Sequence, residues 1–442
     1  MKMTMEKTDA IRTQFYNYLG AYILVALSGC LGNVVDSIIV GNLISADGVS
    51  AINLSKPVNQ FIFTLHLLVT AGGGMLAAYA LGKNDGVQAN RIFTRSLTLT
   101  MVVSVLLALF GGWLFVGPTV DFFCTNEHIY PLTFDYMRVV LLGAPAYVLM
   151  WGLSTMVGID GSPRLVSLAV VVDNVLNLML DILFIKVFQW GITGSSVATV
   201  AGHLVGIAIL SSHWRGGKAR LRLDFSLGGY GASVVRIVSQ GAPLAVASVC
   251  LTILLFSANH IVLSTAGRTG IFIFALCMNL LQVYNLFLSG TCQTLQSLGA
   301  IQVGKGNREG FYAVLGKAFR FITVSMVVTC LFVWIFPHAI AQLFGVDDPA
   351  VTEQCNSALR IFAISFIPFC YIYMLMIVYK LFAQHRMSLF ISFTLSLIVI
   401  PVLWIISRYD PQYIWYSYLI AYLIEGAAIF AIHKAARIKL TL

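Results

Sequence analysis

The sequence predicts an all-α polytopic membrane protein: twelve transmembrane helices forming two pseudo-symmetric six-helix lobes around a central cavity. Three observations predict it. The chain is 59% hydrophobic and only 10% charged over 442 residues, whereas a soluble protein carries about 25% charged residues. Its apolar residues lie in continuous runs close to the ~20 residues that a helix needs to cross a ~30 Å hydrocarbon layer. They do not alternate as they would in a β-barrel. The second half of the chain also echoes the first at a near-constant spacing.

The first apolar run extends from Phe15 to Val40. The second follows the polar turn Asn42 to Gly48 and ends at Leu81, where Gly82-Lys83-Asn84-Asp85-Gly86 breaks it. The third covers Ile92 to Val116, with Gly117-Pro118 and the acidic stretch Asp121 to His128 beyond it. The fourth, fifth and sixth run from Pro131 to Val157, Arg164 to Val187 and Ile192 to Ser212. A polar linker, His213 to Ser239, carries Arg215, Lys218, Arg220, Arg222 and Arg236, and is a candidate for an amphipathic surface helix. Six more apolar segments lie near 240–265, 270–303, 318–337, 357–382, 387–407 and 412–433. The expected division is an N-lobe over 1–212, a cytoplasmic linker over 213–239 and a C-lobe over 240–442.

Charge orients the spans. With twelve crossings, both termini, the linker and the loops at 82–95, 160–164, 304–320 and 380–386 share one side, which collects 21 of the 27 Lys and Arg residues. The other six are Lys56, Arg138, Lys186, Arg268, Arg360 and Arg408. Positive loops stay inside, so both termini are expected in the cytoplasm of a multi-pass cell-membrane protein. The net charge of +9 is this topology bias, not a nucleic-acid surface. The N-terminus is polar and shows no cleavable-signal pattern. The eight cysteines lack metal-ligand spacing. Cys124 and Cys355 fall in expected outer loops, where a disulfide is possible but nothing calls for one.

The repeat is legible residue by residue. Gly82-Lys83-Asn84-Asp85 answers Gly304-Lys305-Gly306-Asn307, Arg95 answers Lys317 and Arg138 answers Arg360, each at a spacing of 222. Six helices repeated in one orientation place a pseudo-two-fold axis along the membrane normal, an architecture of transporters. Gly299 to Gly306 superficially resembles a phosphate loop, but it lacks the Ser/Thr after Lys305 and ends a membrane helix. No nucleotide partner is expected, so an ion gradient is the expected energy source.

Four acids lie inside expected spans: Asp36, Asp173, Asp181 and Glu425. A charge there costs roughly 3 kcal/mol on insertion scales, and such groups are functional by default. Asp173, Asn177 and Asp181 share one helix face at i, i+4, i+8. At ~1.5 Å per residue, Asp36, Asp181 and Thr199 all lie roughly 8–11 Å below the outer helix ends, with Asn177 one turn deeper. If their helices adjoin, Asp36, Asn177, Asp181 and Thr199 can meet at one level as a hard-oxygen set suited to Na⁺ or to shared protons. A purely structural hydrogen-bond network is the plainer alternative. Asp173, Asn174, His203 and Asn33 are candidates for a relay or for the cavity wall. Glu425 is either a C-lobe site or a packing group beside a tyrosine such as Tyr422. His66, His203 and His260 read first as packing residues.

Val35-Asp36-Ser37-Ile38-Ile39-Val40-Gly41 resembles the first-span signature of the multidrug and toxic compound extrusion (MATE) transporters. Gly82-Lys83, Asn177-Leu-Met-Leu-Asp181 and Gly191-Ile-Thr-Gly-Ser-Ser-Val-Ala-Thr199 resemble later family motifs in the same order. The resemblance covers nearly the whole chain. It implies antiport of organic, often cationic, compounds against Na⁺ or H⁺. By likeness to the DinF-type branch, it also implies an N-lobe cation site at Asp36, Asn177, Asp181 and Thr199. Two features depart from the family: the first span lacks the proline some members use to bend it, and the C-lobe acids of the NorM-type branch have no match. Asn259-His260 occupies the seventh span and the tenth has no acid.

The expected protein is thus a monomeric secondary antiporter with no catalytic residues and no cofactor beyond its coupling ion. Its partners are small organic molecules and the lipid bilayer. A lipid-linked sugar flippase of the same superfamily is the nearest alternative, although its cavity should be rich in basic residues. An intramembrane enzyme has only His203 beside Thr199 to suggest it.

Overall fold

The structure is a computed structural model that describes residues 2–44, 46–124, 127, 129–215, 217, 219–226, 230–343 and 349–435. Side chains are described for most of these; those of 33–38 are among the exceptions. In chain order the helices are α1 (Lys2–Leu43), α2 (Ala46–His66), α3 (Gly72–Gly82), α4 (Gly86–Leu109), α5 (Val116–Phe123), α6 (Tyr130–Ile159), α7 (Pro163–Ile182), α8 (Gly191–Ser211), α9 (Tyr230–Thr294), α10 (Ala300–Gly304), α11 (Arg308–Ile335), α12 (Pro337–Leu343), α13 (Pro349–Leu381), α14 (His385–Leu397), α15 (Val399–Tyr409) and α16 (Ser417–Ala435). Turns of π-helix join α2 to α3 at Leu67–Ala71, extend α4 at Phe110–Leu114 and extend α7 at Leu183–Val187. No strand occurs among the described residues.

Ten helical stretches among the described residues are long and apolar enough to cross a membrane. With α1 and the part of α9 beyond Gly267, they make the twelve expected crossings. Gly267 has φ +62° and breaks α9 into two helices. The ends differ from the sequence reading where helix capping outweighs polarity. Asp85 accepts the N–H of Gln88 at 2.9 Å and starts α4 six residues before the expected Ile92. Arg91 and Arg95 therefore lie on that helix rather than in a loop. Gly117-Pro118, beyond the third apolar run, falls within the short helix α5. Cys355 belongs to α13 rather than to a loop, and all eight cysteines are free thiols.

The helices form two compact units. One comprises Tyr16–Ala242 with Ala300–Gly306, and the other Met1–Phe15, Pro243–Gly299 and Asn307–Leu442. We call these the N-terminal and C-terminal units. In the N-terminal unit α6 packs along α2, α4 and α8, and α7 packs along α8. A cluster including Ile62, Met137, Val140, Ile185 and Ile192 fills one part of its interior. A second cluster around Met150, Val157, Val166 and Leu210 fills another. Because lipid is as apolar as these side chains, their close packing rather than escape from water holds the helices together. In the C-terminal unit α13 packs against α11, α12, α14 and α16.

The repeat extends to backbone detail. Asn84 and Gly306 both take positive φ, +58° and +64°. Asp85 and Asn307 both cap the following helix, the latter accepting the N–H of Gly310 at 3.0 Å. Within the N-terminal unit α3 and α10 cross at Gly82 and Gly304. A Cβ on Gly82 would fall on the carbonyl oxygen of Ile301, and one on Gly304 on that of Tyr79.

The linker does not form the expected surface helix over its described residues 219–226. It runs as a strap bonded to the helix ends of the N-terminal unit. Asp160, the residue after α6, accepts from His213 Nε2 at 2.8 Å and from the backbone N–H groups of Arg220 and Leu221 at 3.0 and 3.3 Å. Arg222 N donates to Asn90 Oδ1 and Asp224 N to Thr94 Oγ1, each at 2.7 Å. Trp214 stacks on Phe93 and donates its indole N–H to the carbonyl of Leu221 at 2.7 Å.

Candidate functional site

The hairpin of α7 and α8 carries most of the candidate residues. Its turn uses Gln189 and Gly191, both at positive φ, and the two helices then run antiparallel. Two polar rungs join them. Asp173 Oδ2 lies 2.8 Å from His203 Nδ1, and Asn177 Nδ2 donates to Thr199 Oγ1 at 3.0 Å. Each step of four residues along α7 is matched by four back along α8, as two antiparallel helices of 3.6 residues per turn require. The next step of that register sets Asp181 opposite Ser195, both 0% exposed. Gly202 makes the approach possible: a Cβ there would lie 2.6 Å from Asp173 Oδ1 and 3.5 Å from Asn177 Cβ.

A third contact ties α7 to α1. Asn174 Nδ2 donates to Ser28 Oγ at 2.9 Å and to the carbonyl of Val170 at 2.9 Å. Its Oδ1 lies 2.8 Å from where a Cβ on Gly32 would stand. Asp36 and Asn33 belong to the same helix α1, and their side chains lie outside the described residues.

His203 does not bond Thr199, so the one hint of a nucleophile and base dissolves into two separate rungs. Its ring stands edge-on to Tyr147 at 4.5 Å and to Trp151 at 6.2 Å. Trp151 in turn meets His66 at 5.9 Å, and His66 is bonded to Thr70 within the π-turn between α2 and α3. A line of buried and half-buried polar and aromatic groups thus runs from α1 through α7, α8 and α6 to α2. The Asp173–His203 rung was missed in the sequence because the two residues are thirty apart. The constant hairpin register through Asn177 and Thr199 is the signal that finds it.

Elsewhere, Asn259 and His260 are exposed on α9. Glu425 is 1% exposed, and its described bond is to Thr394 Oγ1 at 2.6 Å rather than to Tyr422. A cavity of about 430 Å³ opens in the C-terminal unit among Trp334, Ser357, Arg360, Ile361 and Tyr416. It contains none of the candidate residues. Asp160, which sequence reasoning passed over as a loop acid, is buried and organises the strap.

Comparison with known proteins agrees with this architecture. The family model MatE matches residues 21–183 and again 243–405, so both the starts and the ends of the two matches are 222 residues apart. The multidrug export protein MepA of Staphylococcus aureus is 22% identical, over 99% of this chain and 96% of its own length. An FAD transporter of Shewanella oneidensis is 24% identical over 75% of this chain and 74% of its own. Among solved structures, a variant of the Vibrio cholerae MATE transporter VcmN superposes with a TM-score of 0.89 at 19% identity, covering 98% of this chain and 99% of that one. With the family model matched in each half and the fold shared end to end, the chain belongs to the MatE family of membrane transporters and is not an enzyme.

Proposed function

We propose that the chain is a multidrug efflux antiporter that exports organic, often cationic, compounds in exchange for Na⁺ or H⁺. In this reading Asp36, Asn177, Asp181 and Thr199 bind the coupling ion. The observation that carries it is the Asn177–Thr199 rung beside fully buried Asp181. Thr199 Oγ1 donates to the carbonyl of Ser195 at 3.2 Å and accepts from Asn177, which leaves it one lone pair. Asn177 keeps its carbonyl oxygen. These neutral oxygens with a carboxylate suit Na⁺, and the carboxylate alone suits a proton. Asp36 fits the level: Ser28 and Gly32 flank Asn174, and Asp36 is one turn beyond Gly32 on a helix that crosses in the same direction as α7.

Ion binding neutralises the acids, removes the cost of a buried charge of roughly 3 kcal/mol and lets α1 repack against α7. Release of the compound outward follows that repacking, and release of the ion inward resets the pump. The Asp173–His203 rung is the relay or positioning pair of this site. The chain is proposed to act as a monomer in the cell membrane with both termini in the cytoplasm.

The test is efflux of a fluorescent cationic dye from vesicles at fixed pH, with and without a Na⁺ gradient. Asp36→Asn and Asp181→Asn should each abolish gradient-driven efflux; full activity in both variants sinks the assignment. A second reading, export of an anionic compound, draws on the likeness to the FAD transporter. Lys380 also favours it, being fully buried at the end of α13 within 3.5 Å of Gln296 Oε1. FAD competing with the dye would favour that reading.

A further inference from the structure

Each half of the chain places a polar rung with a buried titratable side chain between its fifth and sixth crossing helices. In the first half it is Asp173–His203, between α7 and α8. In the second it is Thr394–Glu425, between α14 and α16. His203 and Glu425 are 222 residues apart, and Asp173 and Thr394 are 221 apart. That is the spacing of the two family matches and of the paired caps Asp85 and Asn307. The repeat has therefore kept a titratable side chain at one level of its sixth helix while changing its identity from His to Glu. We propose that Glu425 is a proton-exchanging carboxylic acid, the counterpart in the C-terminal unit of the Asp173–His203 rung.

Two proton arrangements fit these hydrogen bonds, and the buried surroundings favour the neutral acid. Thr394 Oγ1 lies 2.6 Å from Glu425 Oε1, 2.9 Å from the carbonyl of Phe390 and 3.4 Å from that of Ile391. The hydroxyl has one hydrogen. A helical Thr ordinarily gives it to the carbonyl four residues back. The short contact to Glu425 then needs a hydrogen from the carboxyl, giving the chain Glu425 O–H to Thr394 O–H to Phe390 C=O, in which every donor is used. In the carboxylate form Thr394 must turn its hydrogen to Glu425 and abandon Phe390. Glu425 Oε2, buried and with no hydrogen-bond partner among the described residues, would then carry uncompensated charge.

The surroundings supply no compensation. Tyr422 lies three residues before Glu425 on α16 and packs edge-on to Tyr418 at 6.2 Å, and Cys370 on α13 is buried. On α13 and α16, Tyr379 and His433 bond each other at 2.7 Å, two turns beyond Glu425. α15 has no titratable group before Arg408, at its far end. No cation forms an ion pair with Glu425 among the described residues. The step is a plain acid dissociation: the carboxyl O–H bond breaks, the electron pair stays on oxygen and the proton passes to water when the unit opens. The C-terminal unit would then change its proton occupancy without the N-lobe acids. The inference rests on the transporter reading only for what that proton is used for.

Infrared spectroscopy of the intact protein in liposomes at neutral pH tests it, without any transported compound. The wild-type minus Glu425→Gln difference spectrum should show the carbonyl band of one protonated carboxylic acid, and that band should shift in D₂O. Thr394→Val should move the band by removing its hydrogen-bond acceptor, and this variant carries the test if Glu425→Gln does not fold. A missing band, a band that does not exchange in D₂O, or one unmoved by Thr394→Val overturns the proposal. Because the band is read on the resting protein, its failure is distinct from a failure of drug export in the Asp36 and Asp181 variants.

Discussion

His203 Nδ1 lies 2.8 Å from Asp173 Oδ2, on neighbouring helices and largely buried. An acid and a base held together this way satisfy each other, whereas either alone leaves a buried group unpaired. Removing one partner of a buried pair costs about 3–5 kcal/mol. Asp173→Ala and His203→Ala should therefore each lower the unfolding midpoint sharply. The double variant should lose less than the sum, with a coupling of roughly 0.5–3 kcal/mol. Additive losses, read by thermal unfolding in detergent, would mean that the pair does not act as a unit.

The lower rung separates structure from ion binding. Thr199→Val keeps shape but strips the acceptor of Asn177 Nδ2, leaving that amide hydrogen unsatisfied at about 1–3 kcal/mol. If Thr199 also holds the coupling ion, the variant needs a higher Na⁺ or H⁺ concentration for half-maximal transport. Thr199→Ser, which restores the hydroxyl, should return it. An unchanged ion dependence in Thr199→Val, with stability reduced, would confine Thr199 to a packing role.

Much of this was legible in the sequence, because a membrane restricts what a chain can do. Apolar runs of span length and the spacing of 222 are consequences of the bilayer and the repeat, and both reappear in the helices and in the two family matches. The face shared by Asp173 and Asn177 follows from helix geometry alone, and both residues do meet α8. Partners across helices were harder. The sequence offers Asp173 and His203 as separate candidates and not as a pair, offers Glu425 as a C-lobe site or a neighbour of Tyr422 without its bond to Thr394, and shows Asp160 only as a loop acid. Each of these depends on the register between two helices, and composition and periodicity do not encode register. The strap failed for another reason: its basic residues resembled an amphipathic surface, while its backbone N–H groups were already claimed by Asp160, Asn90 and Thr94.

Gly82 and Gly304 leave no room for side chains where α3 crosses α10. The atoms in the way are backbone carbonyls of Ile301 and Tyr79, which cannot swing aside. Gly82→Val or Gly304→Val should cost at least the ~1–3 kcal/mol of ordinary overpacking and reduce the folded fraction in the membrane. Gly86→Ala, where a Cβ meets nothing within 4 Å, is the control and should fold normally. Equal stability of all three would contradict the crossing.

Asp160 should govern the strap. It holds His213 and two backbone N–H groups and lies 3.4 Å from Arg220 Nε. Hydrogen bonds to a charged group contribute about 1.5–3 kcal/mol each, so Asp160→Ala should release 219–226 before it unfolds the bundle. Hydrogen exchange of those amides is the measurement. Faster exchange confined to the strap is expected, whereas unchanged protection would assign its order to Trp214 and Phe93 instead.

Asp224 gives the strap a pH limit. The backbone N–H of Ser226 holds its carboxyl below the usual carboxylate range, with the Ser226 hydroxyl and the Arg91 guanidinium adding to the effect. Arg91 Nε lies 3.4 Å from Asp224 Oδ2. A carboxyl with a depressed folded value contributes stability above its unfolded value, about pH 4, and loses it as pH falls through the lower folded value. Wild type should therefore hold its strap more firmly than Asp224→Asn throughout the neutral range, and the difference should shrink only below about pH 4. Trp214 fluorescence, sensitive to the stack on Phe93, reports it during an acid titration. A difference that vanished between neutrality and mildly acid pH would mean that Asp224 does not control the strap.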